Sequence, residues 1–347
     1  MINGKSTIRY EFEAIRNNVP FRKLRAIPGG NVLCDAKAEI KRSLSCTILV
    51  EDDVDFLTDQ LRVSMIKDEE KQLVGTFVVT TAPKTRNEYG IETWSIEAYD
   101  RTYLVQRKKI ESMSEVYVLA NAYYTAAIES LLIACGISDF IIEASTARVT
   151  TTHQDWEIGT SYLQIINELL DEMNYTSLWF DEEGVAHAAP YVSPVVREPN
   201  FEYRSGSGSI VLASHTVDDD TFAAANVFMV MIQNLDGEAI YAKAVNDDPT
   251  SRLSTVRRGR IAAPVVYLQD TPSQQAAQEY ANNLKLKSMI STETATIRTA
   301  PEALHEVFDI VAVDIPGLSG KFEEIGWSID LDASGLMSHT LRRAIYV

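Results

Sequence analysis

The sequence predicts an α+β protein, mainly antiparallel β, with an α/β segment set between two strand-rich ends. Three observations point there. The first hundred or so residues carry short alternating apolar runs separated by polar or Gly/Pro-bearing stretches. Two central segments have helical periodicity and lead into β-like runs. The remainder returns to alternation around a single helix. Regularly spaced short strands are the mark of a sandwich or a small barrel.

The strands come first. "SLSCTILV" (43–50) puts Leu44, Cys46, Ile48 and Val50 on one face, and "LRVSM" (61–65) does the same with Leu61, Val63 and Met65. "GTFVVTT" (75–81) and "IETWSIEAY" (91–99) are rich in β-branched and aromatic residues. "EDDVDF", "KDEEKQ" and "APKTRNEYG" separate these runs.

The helices follow. In 121–136 the apolar stripe is Tyr124, Ile128, Leu131, Leu132 and Cys135, with Gly136 placed as a C-terminal cap. In 161–174 the stripe is Tyr162, Ile166, Leu169, Leu170 and Met173, and Ser161 with Gln164 has capping-box spacing. Both read Tyr-x-x-x-Ile-x-x-Leu-Leu, a pattern that packing alone can produce. "SLWFDEEGVAHAAPYV" (177–192) reads as a hairpin turning at Asp181–Gly184.

A boundary is expected in the Pro- and Gly/Ser-bearing stretch 193–210. Beyond it, Asp236-Gly237 between two β runs predicts a hairpin. Thr271 and Pro272, with Gln274 completing the box, predict a helix start, and Ala277, Tyr280, Ala281 and Leu284 its buried side. "TATIRTA", "FDIVAVDI", "EEIGWSIDL" and "SHTLRRAIYV" close the chain as strands.

Composition narrows the function. At 347 residues the chain has room for two or three domains. Its 46% apolar and 23% charged residues are ordinary for a globular protein. A net charge of −17 argues against a dedicated nucleic-acid binder and against binding to anionic membranes. Cys34, Cys46 and Cys135 form no C-x-x-C, so neither a disulfide framework nor a thiolate zinc site is expected, and a reduced compartment fits. The N-terminus lacks the apolar core of a signal peptide, and no apolar run reaches about 18 residues. Synthesis in a cytoplasm is the expectation.

The most suggestive local motif is His305-Glu306-x-x-Asp309, one residue away from the helical zinc motif H-E-x-x-H. Pro301 limits any helix there to a short turn, and from Val307 onward the residues alternate as in a strand ending at Pro316-Gly317. On a strand, residues 305 and 309 would lie about 13 Å apart, too far to share one ion. His153, His187, His215 and His339 have no companion at metal spacing. The carboxylates 218–220 lack the alternation and glycine of a calcium loop and read as an acidic solvated loop. "DEEG" (181–184) reads as a tight turn rather than a glycosidase pair, and "SGSGS" (205–209) lacks the lysine of a phosphate cradle. The basic clusters, Arg257, Arg258 and Arg260 and then Arg342 and Arg343, read as rim or partner-surface positions. No catalytic, cofactor-binding or metal-ligating residue is predicted. That moves weight from enzyme to scaffold or binding module.

The order of these elements resembles the hub proteins of phage tails and related contractile injection machines. The resemblance is carried by the strand block through 75–110, the helix and hairpin of 162–192, and the stretch 227–251. It continues through "RRGRI", the 272–289 helix, "TAPEALHEVFDIVAVDIPGLSGKFEEIGWSIDL" and "HTLRR". The resemblance implies two tube-like β-barrel domains, 1–110 and 200–347, with 111–199 as an inserted α/β domain. It implies a homotrimeric ring in the tail of a virion or phage-tail-like particle, joining a hexameric tail tube to a threefold spike or fibre complex. The ring encloses a channel for the tape measure protein and for DNA in passage. No cofactor is implied. The chain ends at Val347, directly after the second barrel, so no lytic domain is expected. Two other readings compete: a metal-dependent hydrolase of the tail tip using His305, Glu306 and Asp309 or the 218–220 carboxylates, and a distal-tail adaptor ring protein.

Overall fold

A computed structural model of the chain describes residues 7–112, 115–154, 156–219, 224–232, 240–268, 274–289 and 293–345. The first segment holds β1 (Ile8–Arg16), β2 (Val19–Leu24), β3 (Ala26–Asp35), β4 (Arg42–Leu49) and β5 (Gln60–Lys67). It continues with β6 (Glu70–Thr81), β7 (Lys84–Arg86), β8 (Glu92–Tyr99) and the short helix α1 (Thr102–Arg107). The middle segment holds α2 (Tyr124–Ala134), β9 (Phe140–Ile142), α3 (Tyr162–Glu172), β10 (Trp179–Phe180) and β11 (Ala186–Ala188). The last begins with β12 (Phe201–Arg204), β13 (Thr216–Asp219), β14 (Val227–Ile232), β15 (Ile240–Val245) and α4 (Thr255–Arg258). It ends with β16 (Val266–Leu268), α5 (Gln274–Ser288), β17 (Glu293–Thr299), β18 (Ile310–Ile315), β19 (Leu318–Asp330) and β20 (Met337–Arg343).

Alternation places the strands as expected. Leu44, Cys46 and Ile48 of β4 and Leu61, Val63 and Met65 of β5 are all buried. The polar stretch 67–72 does more than separate strands. Asp68 and Glu69 both have positive φ, 50° and 71°, which is the two-residue turn that matches strand twist, so β5 runs straight back into β6. Asn17 and Asn18 (φ 51° and 62°) make the same kind of turn between β1 and β2.

The main sheet has fourteen strands, ordered β13-β17-β20-β19-β3-β4-β8-β6-β5-β1-β2, with β12 and β18 branching from β19 and β7 attached to β8. Its two ends repeat one plan. In the first segment the order is β3-β4-β8-β6-β5-β1; in the last it is β13-β17-β20-β19-β18-β12. Each block contains a tight hairpin, β5–β6 or β18–β19, whose second strand outruns the first and pairs with the block's last strand. One pairing differs: β1 lies antiparallel to β5, whereas β12 lies parallel to β18. The path is open, and no closed barrel is formed among the described residues. The barrel expectation is therefore met only as mainly antiparallel β structure. The two strand blocks also share a core, in which Ala303, Val307, Trp327, Ile329, Leu331 and Met337 pack with residues 12–98.

The middle segment has its own apolar cluster built from α2, α3 and the small sheet β10-β11-β9. Ser161 caps α3 through Gln164 N–H, and Gly136 (φ 79°) ends α2 with the Ile137 N–H on Leu132 O. Of the predicted stripes only Cys135 and Met173 are less than fully buried. The hairpin turns at Asp181–Gly184 as expected, with Gly184 N–H on Asp181 O.

In the last segment β14 and β15 pair in register, but the turn predicted at Asp236-Gly237 lies outside the described residues, as do Thr271 and Pro272. This pair, with β16 and α5, packs Ala277 and Ala281 into a separate small cluster rather than into the main sheet. Among the described residues no helix is long and apolar enough to cross a membrane.

Candidate functional site

Residues 305–309 correct the strand reading. The alternation of Val307 and Phe308 does not extend the strand, which starts only at Ile310. The segment is a turn: Glu306 N–H donates to Asp309 Oδ2 (2.8 Å), and Phe308 sits at φ 69°. Phe308 N–H donates to Glu324 O and Glu324 N–H to Asp309 O, which fastens the turn to β19. The geometry turns the His305 side chain into the core and leaves Glu306 and Asp309 with other partners.

His305 meets two residues that sequence spacing did not link to it. Its Nδ1 lies 2.5 Å from Glu324 Oε2, and His339 Nδ1 lies 2.6 Å from Glu324 Oε1. The far nitrogens are held as well: His305 Nε2 by the Tyr203 hydroxyl (2.7 Å) and His339 Nε2 by Thr299 Oγ1 (2.9 Å). His305, Glu324 and His339 are all fully buried. Burial alone would raise the Glu324 pKa, but the hydrogen bonds from both histidines hold it below the ordinary value. β19 and β20 bring the trio together by placing Trp327 opposite His339 and Glu324 opposite Leu341, and the 305–309 turn completes it.

These three residue types have metal-ligating chemistry, and their ligand atoms lie within 4.8 Å of one another. The geometry nevertheless fits a hydrogen-bonded network better. Ligands about 2.0–2.1 Å from a tetrahedral zinc stand roughly 3.3 Å apart, well beyond the 2.5 and 2.6 Å contacts found here. Both imidazoles and both carboxylate oxygens are already engaged. A side-chain trio with no exposed surface also offers a substrate no approach. The cluster can carry a buried charge within a satisfied network; it is not arranged for hydrolysis.

Glu306 belongs to a second cluster, at the meeting of all three segments. Its Oε1 accepts from Arg42 Nη2 at 2.5 Å. Arg42 is buried on β4, and its Nη1 donates to Val74 O. Glu306 Oε2 is buried with no hydrogen-bond partner, and the carboxyl of Glu182, at the hairpin tip, is near enough to Glu306 to feel its charge. Burial, reinforced by that neighbouring carboxylate, pushes Glu182 up to about 7. The tip is fastened further by Thr76 Oγ1 on Glu182 O (3.0 Å) and Arg101 Nη1 on Gly184 O (3.1 Å). A side chain at Gly184 would strike the Arg101 side chain, 2.9 Å from the Cβ position.

The remaining candidates fall apart spatially. His187 pairs with Asp181 at 2.7 Å and stacks on Trp179. His153 lies near Glu172 and Trp156, and His215 touches Ala213 O. Asp218 and Asp219 are in strand β13 rather than in a loop, because they pair with Thr294 and Glu293; Asp220 lies outside the described residues. Arg342 and Arg343 are bound to Glu323 and Glu293, and Arg257 lies exposed on α4. Cys34 and Cys46 are buried thiols pushed up to about 12 by burial, and half-buried Cys135 is pushed to about 11. The Gly/Ser stretch 205–209 forms a surface turn after β12.

No protein-family model and no curated protein sequence matches the chain. Solved structures do. The tail protein from Neisseria meningitidis aligns at TM-score 0.70 and 15% identity, covering 96% of this chain and 97% of that one. The 43 kDa tail protein of prophage MuSo2 from Shewanella oneidensis aligns at 0.69 and 13%, covering 96% and 98%. The prophage tail protein gp18 from Listeria monocytogenes aligns at 0.57 and 12%, covering 95% and 94%. The chain therefore has the fold of phage tail proteins over nearly its whole length, as the order of its sequence elements led us to expect.

Proposed function

We propose that this chain is a structural hub of a phage tail or phage-tail-like particle, without catalytic activity. The observation that carries the reading is the strand plan used twice, once at each end of the chain, with the two copies joined in one sheet. Residues 1–110 and 200–347 are then two tube-like modules, whose barrel walls are completed by neighbours in the assembly, and 111–199 is a peripheral insert. Three copies in a ring present six such modules. That number matches a hexameric tail tube or distal tail protein on one side and a threefold spike or fibre complex on the other. The ring encloses a channel for the tape measure protein and for DNA in passage. A charge of −17 suits such a channel, since an acidic wall does not retain DNA. The sealed His305–Glu324–His339 network supports a role in holding shape, since hydrolysis needs a solvent-facing group.

Light scattering on the purified chain tests this reading. Three copies per particle are expected. Six copies would favour the adaptor ring, and a chain that remains monomeric as concentration rises would count against both.

A further inference from the structure

The hydrogen-bond partners of the buried network fix where its protons sit. Glu324 is fully buried, and each carboxylate oxygen faces an imidazole Nδ1: Oε2 faces His305 and Oε1 faces His339. An ionised carboxylate only accepts, so both Nδ1 atoms carry hydrogen. The far nitrogens meet different hydroxyls. Thr299 Oγ1 donates its single hydrogen to Ala300 O (2.9 Å), a group that can only accept. The same oxygen lies 2.9 Å from His339 Nε2 and is left to accept there. His339 then donates from both nitrogens, which only an imidazolium can do. Tyr203 is buried, and its hydroxyl oxygen lies 2.7 Å from His305 Nε2. A phenol proton aimed at that nitrogen is satisfied, whereas a hydrogen on His305 Nε2 would turn it away. His305 is then the neutral ring, protonated on Nδ1.

Net charge gives the same answer. Two neutral imidazoles would leave Glu324 as an uncompensated buried anion. Two imidazoliums with ring centres 4.8 Å apart would repel each other. The other charges around the network have their own partners: Glu302 pairs with Lys67 at 3.2 Å, and Asp309 feels the positive charge of Arg197. The countercharge for Glu324 therefore comes from one of the two histidines. Phe201, stacked on His305 at 3.7 Å, packs on a ring of either charge, so the hydroxyls decide which histidine is charged.

We propose that the network is a one-proton lock, in which His339 is an imidazolium paired with the Glu324 carboxylate and His305 is a neutral strut between Glu324 and Tyr203. The pair closes the last strand block with no net buried charge. Removing that proton leaves a buried carboxylate without its cation, so the lock holds the block only while His339 stays charged. This assignment goes beyond the hub reading and does not depend on it.

Neutron diffraction from deuterated crystals grown near neutral pH tests it. Deuterium is expected on both ring nitrogens of His339, on Nδ1 alone of His305 and on neither oxygen of Glu324. A bare nitrogen on His339, a second deuteron on His305 or a deuterated Glu324 overturns the assignment. Nitrogen NMR of protein carrying labelled histidine gives a second readout, with the His339 signals identified by their absence from His339→Gln. The His339 ring should show two protonated nitrogens in the parent and one in Glu324→Gln, because the charge that holds the extra proton is gone. A ring that stays doubly protonated in that variant would contradict the lock. If Glu324→Gln does not fold, the parent spectrum decides: two protonated nitrogens support the lock and one overturns it.

Discussion

The two strand blocks share a plan and differ in what fills the decisive point of it. Where β6 passes the end of its hairpin partner, the first block has Val78 and Val79; where β19 does so, the last block has Glu323 and Glu324. The first block is closed by aliphatic and aromatic packing around Phe77, Leu61 and Ile96. The last is closed by a buried carboxylate gripped by two imidazoles, with Tyr203 and Thr299 behind them. One topology thus tolerates an apolar or a fully satisfied polar interior, which locates the common requirement in strand order and edges rather than in any reactive group.

The largest effect expected from breaking this comparison is at Glu324. Glu324→Ala leaves two buried imidazoles without their acceptor and should cost about 3–5 kcal/mol in chemical denaturation, the range for breaking a buried charge pair from one side. A loss under about 1 kcal/mol would mean that the polar network is dispensable. The depressed Glu324 pKa has a definite sign. Its stabilisation is present above about 4.5, its unfolded value, and is lost as pH falls through the lower folded value.

The seam where the insert's hairpin meets both blocks behaves oppositely and more weakly. Glu182 is raised from 4.5 to about 7, so its contribution is complete below about 4.5 and is lost as pH rises through about 7. Glu182→Gln keeps the size of the side chain without titrating. The thermal midpoint of that variant should fall less between pH 5 and 8 (roughly the window set by the two values) than that of the parent. Asp309, pushed up to about 6 by burial, adds a change of the same sign, so the slope should shrink rather than vanish. An unchanged slope would place the titration elsewhere.

Much of this was legible in local pattern. Helices α2 and α3 follow from a Tyr/Ile/Leu-Leu stripe, Ser161 and Gly136, because capping and helical periodicity act over a few residues. Strands β4 and β5 follow from alternation. The turn at 305–309 was misread because Val307 and Phe308 continue the alternation of β18, while the Asp309 side chain and the positive φ of Phe308 break it. Asp218 and Asp219 looked like loop residues because an edge strand buries little and needs no apolar alternation. Asn17-Asn18 was an available hairpin signal, since asparagine tolerates positive φ. The His305–Glu324–His339 network had no local signal at all. Its members are 19 and 15 residues apart in sequence and meet only through the β18–β19 and β19–β20 pairings. The doubled strand plan was hidden for the same reason: it resides in the pairing order.

The most direct test of the central claim is a cryo-EM reconstruction of the assembled protein. The account predicts a ring of three chains in which six strand blocks surround a channel. A ring whose two blocks occupy unlike positions around the channel would contradict it.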